Sequence, residues 1–482
     1  MTQTFSASWY VDNAATGSRN GTSWANAWTN LNAITGISAG DTVYISGGST
    51  SKTYLDPYWT PAGGTAGNPI TYKIGQETGH SGLAIFDGNG VNLSFLYANI
   101  KNVKIDGEYE GQTRFLSTNC ATTAIHCDGA SDVWLNHIIV DGIVRFNPGT
   151  NITLSHLTVR SRALTSANIV WEVRRKASEP DAFTNNVIRN CHILMPCNDT
   201  TPSWGSDGIA GGRCTSVYSN IFEAWYYTDA GEAESGRHAD GWQNLGNSMC
   251  AIYANKFQNI ANYGIFWEPS GNVSNVWIYN NVFYNNDTLS HASEASVGVV
   301  FGQRTAGSTV SNVLVANNTF VDWFGRGAIT MGDDPGESST WAGVVVANNL
   351  TYNTGKAGSY ASIDVSLNGG GTNGISILKN KAISGTRGTN VISPSQLVAA
   401  GGDNGVAFVS YSELSDSNDA RLLSSDTAAI GYGLDLSVYF TTDADGNARG
   451  ATWDLGAFEY INTLNIATNQ ARAQRLRGWR GF

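Results

Sequence analysis

The chain has 482 residues, a net charge of −11 and only 14% charged residues, beside 15 Trp and 20 Tyr. Such an acidic balance excludes nucleic-acid binding driven by bulk charge, although a local basic groove leaves a polyanionic ligand open. No stretch approaches the ~20 apolar residues of a membrane span, so no membrane insertion is expected. The six cysteines (Cys120, Cys127, Cys191, Cys197, Cys214 and Cys250) contain no Cys-x-x-Cys pair that would suggest zinc.

The N-terminal segment shows neither a basic stretch nor an apolar run, so no signal peptide is visible. It reads Trp9-Tyr10-Val11-Asp12, then Gly21-Thr22-Ser23-Trp24, then Gly40-Asp41-Thr42-Val43-Tyr44-Ile45. Ala25 to Ile34 is expected as a short amphipathic helix covering an exposed strand edge. The expected divisions are a cap with the first coils (1–100), a repeat core with groove loops (101–400), a closing segment (401–462) and a basic tail (463–482) carrying Arg472, Arg475, Arg477 and Arg480.

A hexapeptide dominates the middle of the chain. Val217-Tyr218-Ser219-Asn220-Ile221-Phe222 returns as Ile252-Tyr253-Ala254-Asn255-Lys256-Phe257 and Ile278-Tyr279-Asn280-Asn281-Val282-Phe283. Further copies centre on Asn318, Asn349 and Asn380, with upstream copies at Asn136 and Asn190 and degenerate ones at Asp106 and Ser155. Self-similarity at a spacing of about 20–50 residues marks a solenoid. Each copy alternates apolar and polar residues, which is strand patterning. Gly, Asn, Asp, Ser and Thr fill the intervals, which is turn chemistry. Each coil is therefore expected to hold a short strand, a turn, a second strand and a variable loop. A stacked Asn amide can satisfy the backbone groups that a corner leaves exposed.

A second strand follows each hexapeptide. Aligning these strands on Ile143, Ile169, Ile209, Trp242, Ile265 and Val299 puts Asp207 and Asp240 at equivalent positions one coil apart, about 4.8 Å. Two carboxyls that close cannot ionise independently, so one keeps its proton. That is the chemistry of a general acid beside a base or nucleophile, as in glycoside hydrolysis. Asp-Gly is also a turn dipeptide, and Asp141-Gly142 is expected at the same register, so a purely structural reading stays open.

Around this pair, His238 precedes Asp240 by two residues and is expected to share its protons. Glu268 follows one coil later as an assisting carboxylate. The insertion from Glu223 to Arg237 brings Trp225, Tyr226, Tyr227, Glu232, Glu234 and Arg237. Trp204, Arg213 and Gln243 complete the expected substrate-binding set. Near the end, Asp443, Asp445 and Asn447 match the start of a calcium loop, but Ala448 and Asp454 replace its Gly and bidentate Glu. No cofactor and no resident metal are expected, with calcium left open.

The opening segment, the Asn-centred repeat and the closing Asp454-Leu455-Gly456-Ala457-Phe458-Glu459 together resemble the right-handed parallel β-helix proteins over residues 9–460. That group includes pectate-lyase-like enzymes, phage tailspikes and polysaccharide depolymerases, and bacterial surface proteins. The resemblance implies an all-β, right-handed parallel β-helix solenoid with an N-terminal cap, binding a polysaccharide in a lateral groove. It implies an extracellular or virion-associated location and leaves a homotrimer or attachment to a virion open. Three activities follow from it: a glycoside hydrolase using Asp207 and Asp240, a polysaccharide lyase using Arg174, Arg175 and Lys176, or a non-enzymatic glycan-binding fibre.

Overall fold

The computed structural model describes residues 6–55, 59–90, 95–97, 99–121, 123–127, 129–146, 149–160, 169–171, 185–197, 207–211, 215–226, 240–244, 249–260, 262–267, 271–284, 297–303, 307–323, 327–333, 338–352, 363–365, 374–383, 406–412, 415 and 418–461. Three long sheets run through them. The first has thirteen strands, from Ser8–Val11 to Ile375–Leu378. The second has twelve, from Ser51–Tyr54 to Lys381–Ile383, and the third ten, from Leu96–Tyr97 to Ile363–Val365. Neighbouring strands within each sheet come from successive windings and pair in parallel, as at Val217↔Ile252 and Phe222↔Phe257. The chain is a three-sheet parallel β-helix.

One winding shows how the repeat is used. Thr215–Tyr218 belongs to the first sheet, Ile221–Tyr226 to the second and Trp242–Asn244 to the third, before Cys250–Tyr253 begins the next winding. A coil thus has three strands where the sequence suggested two. The hexapeptide is not one strand but the end of one and the start of the next. Between them the residue before the Asn turns left-handed: Ser219 (φ 56°), Ala254 (φ 54°), Asn280 (φ 57°), Asn317 (φ 50°) and Asn348 (φ 57°). Asn tolerates that conformation better than most residues.

The following Asn closes the corner. Asn318 donates Nδ2 to the Ile278 carbonyl of the coil before (3.0 Å) and to Asn349 Oδ1 of the coil after (3.0 Å). Its own Oδ1 accepts the Asn281 backbone N–H at 3.0 Å. The same bonds link Asn220, Asn255, Asn281, Asn318, Asn349 and Asn380, all buried.

The ladder does not extend upstream in the expected register. Arg189 pairs with Tyr218, so Asn190 matches the left-handed Ser219, and Cys191 takes the ladder position and sends its N–H to Asn220 Oδ1. Asp106, Asn136 and Ser155 lie on the strand itself and form a separate polar column. In it, Asn136 Nδ2 donates to Asp106 and the Ser155 hydroxyl donates to Asn136, both at 2.8 Å.

Inside, apolar side chains stack as regularly as the amides. Phe222, Phe257, Phe283 and Phe320 form a column with ring centroids 4.6, 4.7 and 4.5 Å apart. At the N-terminus, the expected helix over Ala25 to Ile34 is only a 3₁₀ turn at Leu31–Ala33. Its backbone is committed elsewhere: Trp28 N–H donates to the Tyr10 carbonyl and its carbonyl accepts from Asp12, so the segment caps the first edge strand by extended pairing.

The described residues of 406–461 pack along the outside of the coils. Leu436, Phe440 and Trp453 cover Leu314, Ala316 and Ala347 on the first sheet, while Phe408, Leu422 and Leu455 cover Tyr284, Val321 and Leu350 on the second. The left-handed Asn residues receive this strap: Asn280 Nδ2 donates to Thr442 O, Asn317 to Asp454 O and Gly456 O, and Asn348 to Leu434 O. Buried Arg449 joins Glu459 (3.0 Å) and Asn280 Oδ1 (2.7 Å). The Asp443 carboxylate accepts from the backbone N–H groups of Asp445, Asn447 and Glu459 and from Asn447 Nδ2. Its oxygens hold a turn, the same oxygens the calcium-loop reading needed.

Two substitutions test this framework. Asn318→Ala orphans the Asn281 N–H and the Ile278 carbonyl inside the stack, and should cost about 2–6 kcal/mol in denaturant unfolding at roughly 1–3 per stranded group. Arg449→Met leaves the Glu459 carboxylate without its cation and should cost about 3–5 kcal/mol by the same measurement.

Candidate functional site

Four successive strands of the third sheet begin at a glycine step, at Gly208, Gly241, Gly264 and Gly298. A Cβ on Gly208 would sit 2.4 Å from the Gly241 carbonyl and 2.9 Å from Phe222 Cδ1. One on Gly241 would meet Gly264 O at 2.4 Å and Phe257 Cδ1 at 2.7 Å. Glycine at this step is what lets successive coils and the Phe column close together.

The register beyond the step matches the sequence alignment from Ile169 onward: Ile169↔Ile209, Ile209↔Trp242, Trp242↔Ile265 and Ile265↔Val299. It fails at the first position. Ile169 pairs with Val144 rather than Ile143, and the preceding strand carries an irregularity between Thr123 and Ile125. Asp141 is therefore out of line with Asp207. It instead holds Arg160 Nε and the Thr118 hydroxyl.

Asp207 and Asp240 are brought together in adjacent coils. Asp207 Oδ1 accepts the Asp240 backbone N–H at 3.1 Å. Asp240 Oδ1 accepts the Tyr263 N–H at 3.1 Å and Asn262 Nδ2 at 2.9 Å. Asp240 is fully buried, whereas Asp207 is 8% exposed. Burial, reinforced by the neighbouring Asp240 carboxyl, holds the Asp207 proton well above the ordinary carboxylate range, and the N–H donated by Asp240 offsets only part of this. The pair can therefore present a protonated carboxyl at a pH where solvent-exposed acids are ionised.

Next to the pair lies the outer face of the third sheet. Ile209, Trp242, Ile265 and Val299 point into the core, and alternation turns Ala210, Gln243, Phe266 and Val300 outward in one row. Gln243 is half-buried there. Tyr263 folds over Phe266, with ring centroids 4.7 Å apart and planes 26° from parallel.

Of the other sequence-derived candidates, Trp204, Arg213, Tyr227, Glu232, Glu234, Arg237, His238 and Glu268 lie outside the described residues, as do Arg174, Arg175 and Lys176. Trp225 and Tyr226 are described only as backbone of the strand Ile221–Tyr226. Asn262, Tyr263 and Phe266 were not singled out from the sequence. Tyr263-Gly264 occupies the same register as Asp207-Gly208 and Asp240-Gly241, and that signal could have found it. Among the described residues, no group of three or more His, Cys, Asp or Glu side chains is arranged to hold a metal ion.

No protein-family model matches the chain, and no curated protein sequence matches it. Among solved structures, a rhamnogalacturonan lyase is 14% identical, with 96% of this chain and 98% of that one covered and a TM-score of 0.47. A pectate lyase is 15% identical over 95% of this chain and 98% of its own, with a TM-score of 0.41. A surface adhesin of Streptococcus pneumoniae is 15% identical over 66% and 86%, with a TM-score of 0.40.

The raised carboxyls have a consequence for stability. Asp207, and Asp454 at about 6, bind protons more tightly in the folded chain than unfolded carboxyls do near 3.8. Their contribution is therefore fully present below 3.8 and is lost as pH rises, for Asp454 through the interval up to about 6 and for Asp207 through its own raised value. Asp207→Asn removes one such group while keeping an acceptor for the Asp240 N–H. Relative to wild type, its melting temperature should gain as pH rises above about 4. A constant difference across that range would contradict the assignment.

Proposed function

We propose that the chain is a polysaccharide-degrading enzyme, a glycoside hydrolase whose glycan lies along the outer face of the third sheet. The observation that carries this reading is the Asp207–Asp240 pair, with one proton retained at the rim of that face. The strap over the first and second sheets supports it, because it occupies their outer faces on the later coils. Asp207 is the general acid, delivering its proton to the glycosidic oxygen as the bond to the sugar breaks. Asp240 is buried and acts through Asp207 by keeping that proton on. The carboxylate that activates water, or attacks the sugar, is assigned to Glu268 or to Glu232 or Glu234 of the Glu223–Arg237 insertion. Gln243 and the aromatic residues of the face and insertion hold the sugar, and action outside the cell or on a virion suits a substrate of this kind.

A second reading is favoured by the glycine step and by the N–H groups that bond to Oδ1 of each carboxyl. In it the Asp-Gly corners only shape the coil, and the protein is a glycan-binding fibre without turnover.

Incubation with a panel of neutral and uronate polysaccharides separates the readings. The hydrolase produces reducing ends without new ultraviolet absorbance, whereas lyase chemistry would add the absorbance of a carbon–carbon double bond. Asp207→Asn should lower turnover about 100-fold or more, the usual worth of a general acid. Asp240→Asn removes the charge that raises Asp207, so the alkaline limb of its pH–rate profile should move to lower pH. Full turnover in Asp207→Asn would remove Asp207 from the reaction, and retention of glycan by wild type with no product would leave the fibre reading in its place.

A further inference from the structure

We infer that the stacked pair His137–His156 is an acid-sensitive clasp. It holds two coils together at the corner between the first and second sheets while both rings are neutral, and lets that corner open when they take up protons. The clasp is separate from the Asp207–Asp240 pair and does not depend on a glycan. The two rings face each other across successive coils, with centroids 4.5 Å apart and planes 6° from parallel. Both residues take the left-handed corner position (φ 52° and 53°), and the strand register puts them in one column with Asn190 and Ser219. In the later coils an Asn follows that position and builds the ladder. Here buried, apolar Ile138 and Leu157 follow it, so the ladder's amide is missing from these two coils. The backbone N–H of His137 reaches the Ser155 carbonyl and that of His156 the Arg189 carbonyl, each at 3.2 Å, so displacing either residue pulls on a bond between coils.

The neighbours decide where each proton sits. The Trp134 indole N–H donates to Ser155 Oγ at 2.8 Å, so the Ser155 hydroxyl passes its own hydrogen to Asn136 Oδ1, also at 2.8 Å. Asn136 Nδ2 is turned to the Asp106 carboxylate. The atom that meets His156 Nδ1 at 3.1 Å is therefore an acceptor, and it fixes that nitrogen as an N–H in the neutral ring. A second proton goes to Nε2 and makes the ring a cation. His137 Nδ1 is buried with no hydrogen-bond partner, and a cationic ring would have to carry an N–H at that atom.

The surrounding charges are mixed, and burial outweighs the favourable ones. Burial holds both rings below the ordinary 6.5, with His156 at about 4. At His156 the facing His137 ring and Arg189 of the next coil push the same way, against Asp106. At His137 Lys73, two coils back, does so against Asp106 and Glu108. Both rings bind protons less tightly in the folded chain than in the unfolded one. Their contribution to stability is therefore fully present above 6.5 and is lost as pH falls, for His156 through the interval down to about 4. This is opposite in sign to the contribution of the raised carboxyls Asp207 and Asp454.

The test compares the intact wild-type chain with His137→Asn, His156→Asn and the double variant in urea unfolding across pH. Asn suits a left-handed corner and already stands at this position in the next coil, as Asn190. Relative to the double variant, the folding equilibrium of wild type should fall about tenfold for each pH unit between about 6 and 4.5. Amide hydrogen exchange locates the effect. Peptides spanning 130–160 should open more often in wild type at about pH 5 than at about pH 7, after correction for the chemical exchange rate, and the double variant should lose this difference. Proton resonances of the ring C–H groups, assigned by their loss in the single variants, read the titration in wild type itself. His156 should titrate near 4 and His137 below 6.5. A difference between wild type and the double variant that stays constant with pH overturns the inference. So do rings that both titrate at 6.5 or above, or exchange over 130–160 that acid leaves unchanged.

Discussion

The buried Asn amide at the corner between the first and second sheets is the interaction on which the rest depends. Strand pairing satisfies the backbone along each sheet, but a chain that turns sharply leaves N–H and carbonyl groups pointing along the axis, where no strand reaches them. One amide meets this need three ways, binding a carbonyl on the coil before, the next Asn on the coil after, and an N–H on the coil before. Six of them in line fix both the rise between coils and their register. Because that register is fixed, residues tens of positions apart in sequence, such as Asp207 and Asp240, become contacts.

The fold was legible because this device repeats. The third-sheet register was legible for a related reason: the glycine step admits no side chain, so Gly208, Gly241 and Gly264 mark the same place in each coil. What misled was the strand pattern at the corner. Apolar residues continue on both sides of the left-handed residue, so two strands read as one. Asn280-Asn281, Asn317-Asn318 and Asn348-Asn349 hide a second distinction, since each pair divides its work. The first Asn takes the left-handed turn and holds the strap, and the second builds the ladder. Asn190 takes the left-handed turn without a rung after it, since Cys191 follows, which is why it looked like a rung and is not one.

The site was partly legible for the same reason. Equivalent position in the repeat was enough to bring Asp207 and Asp240 together, and it would equally have flagged Tyr263. Sequence does not show how deeply a corner is buried, and burial is what separates the two acids. The more enclosed Asp240 is held by donors from the next coil, while Asp207 keeps a sliver of surface and binds its proton more tightly than a free carboxyl does. One corner thus serves both the stacking of the coil and the titration of its carboxyls.

The strap has a bearing on how such a rod comes apart. Stacked repeats touch only their neighbours, so a solenoid ordinarily frays from an open end, one winding at a time. Here three consecutive windings, those of Asn280, Asn317 and Asn348, are stitched to one returning segment more than 80 residues further on. Unpeeling the last of them means dislodging a segment that also grips the other two. The distal third of the rod should therefore yield as a single block, giving it endurance against pulling and digestion that neighbour-only stacking would not provide.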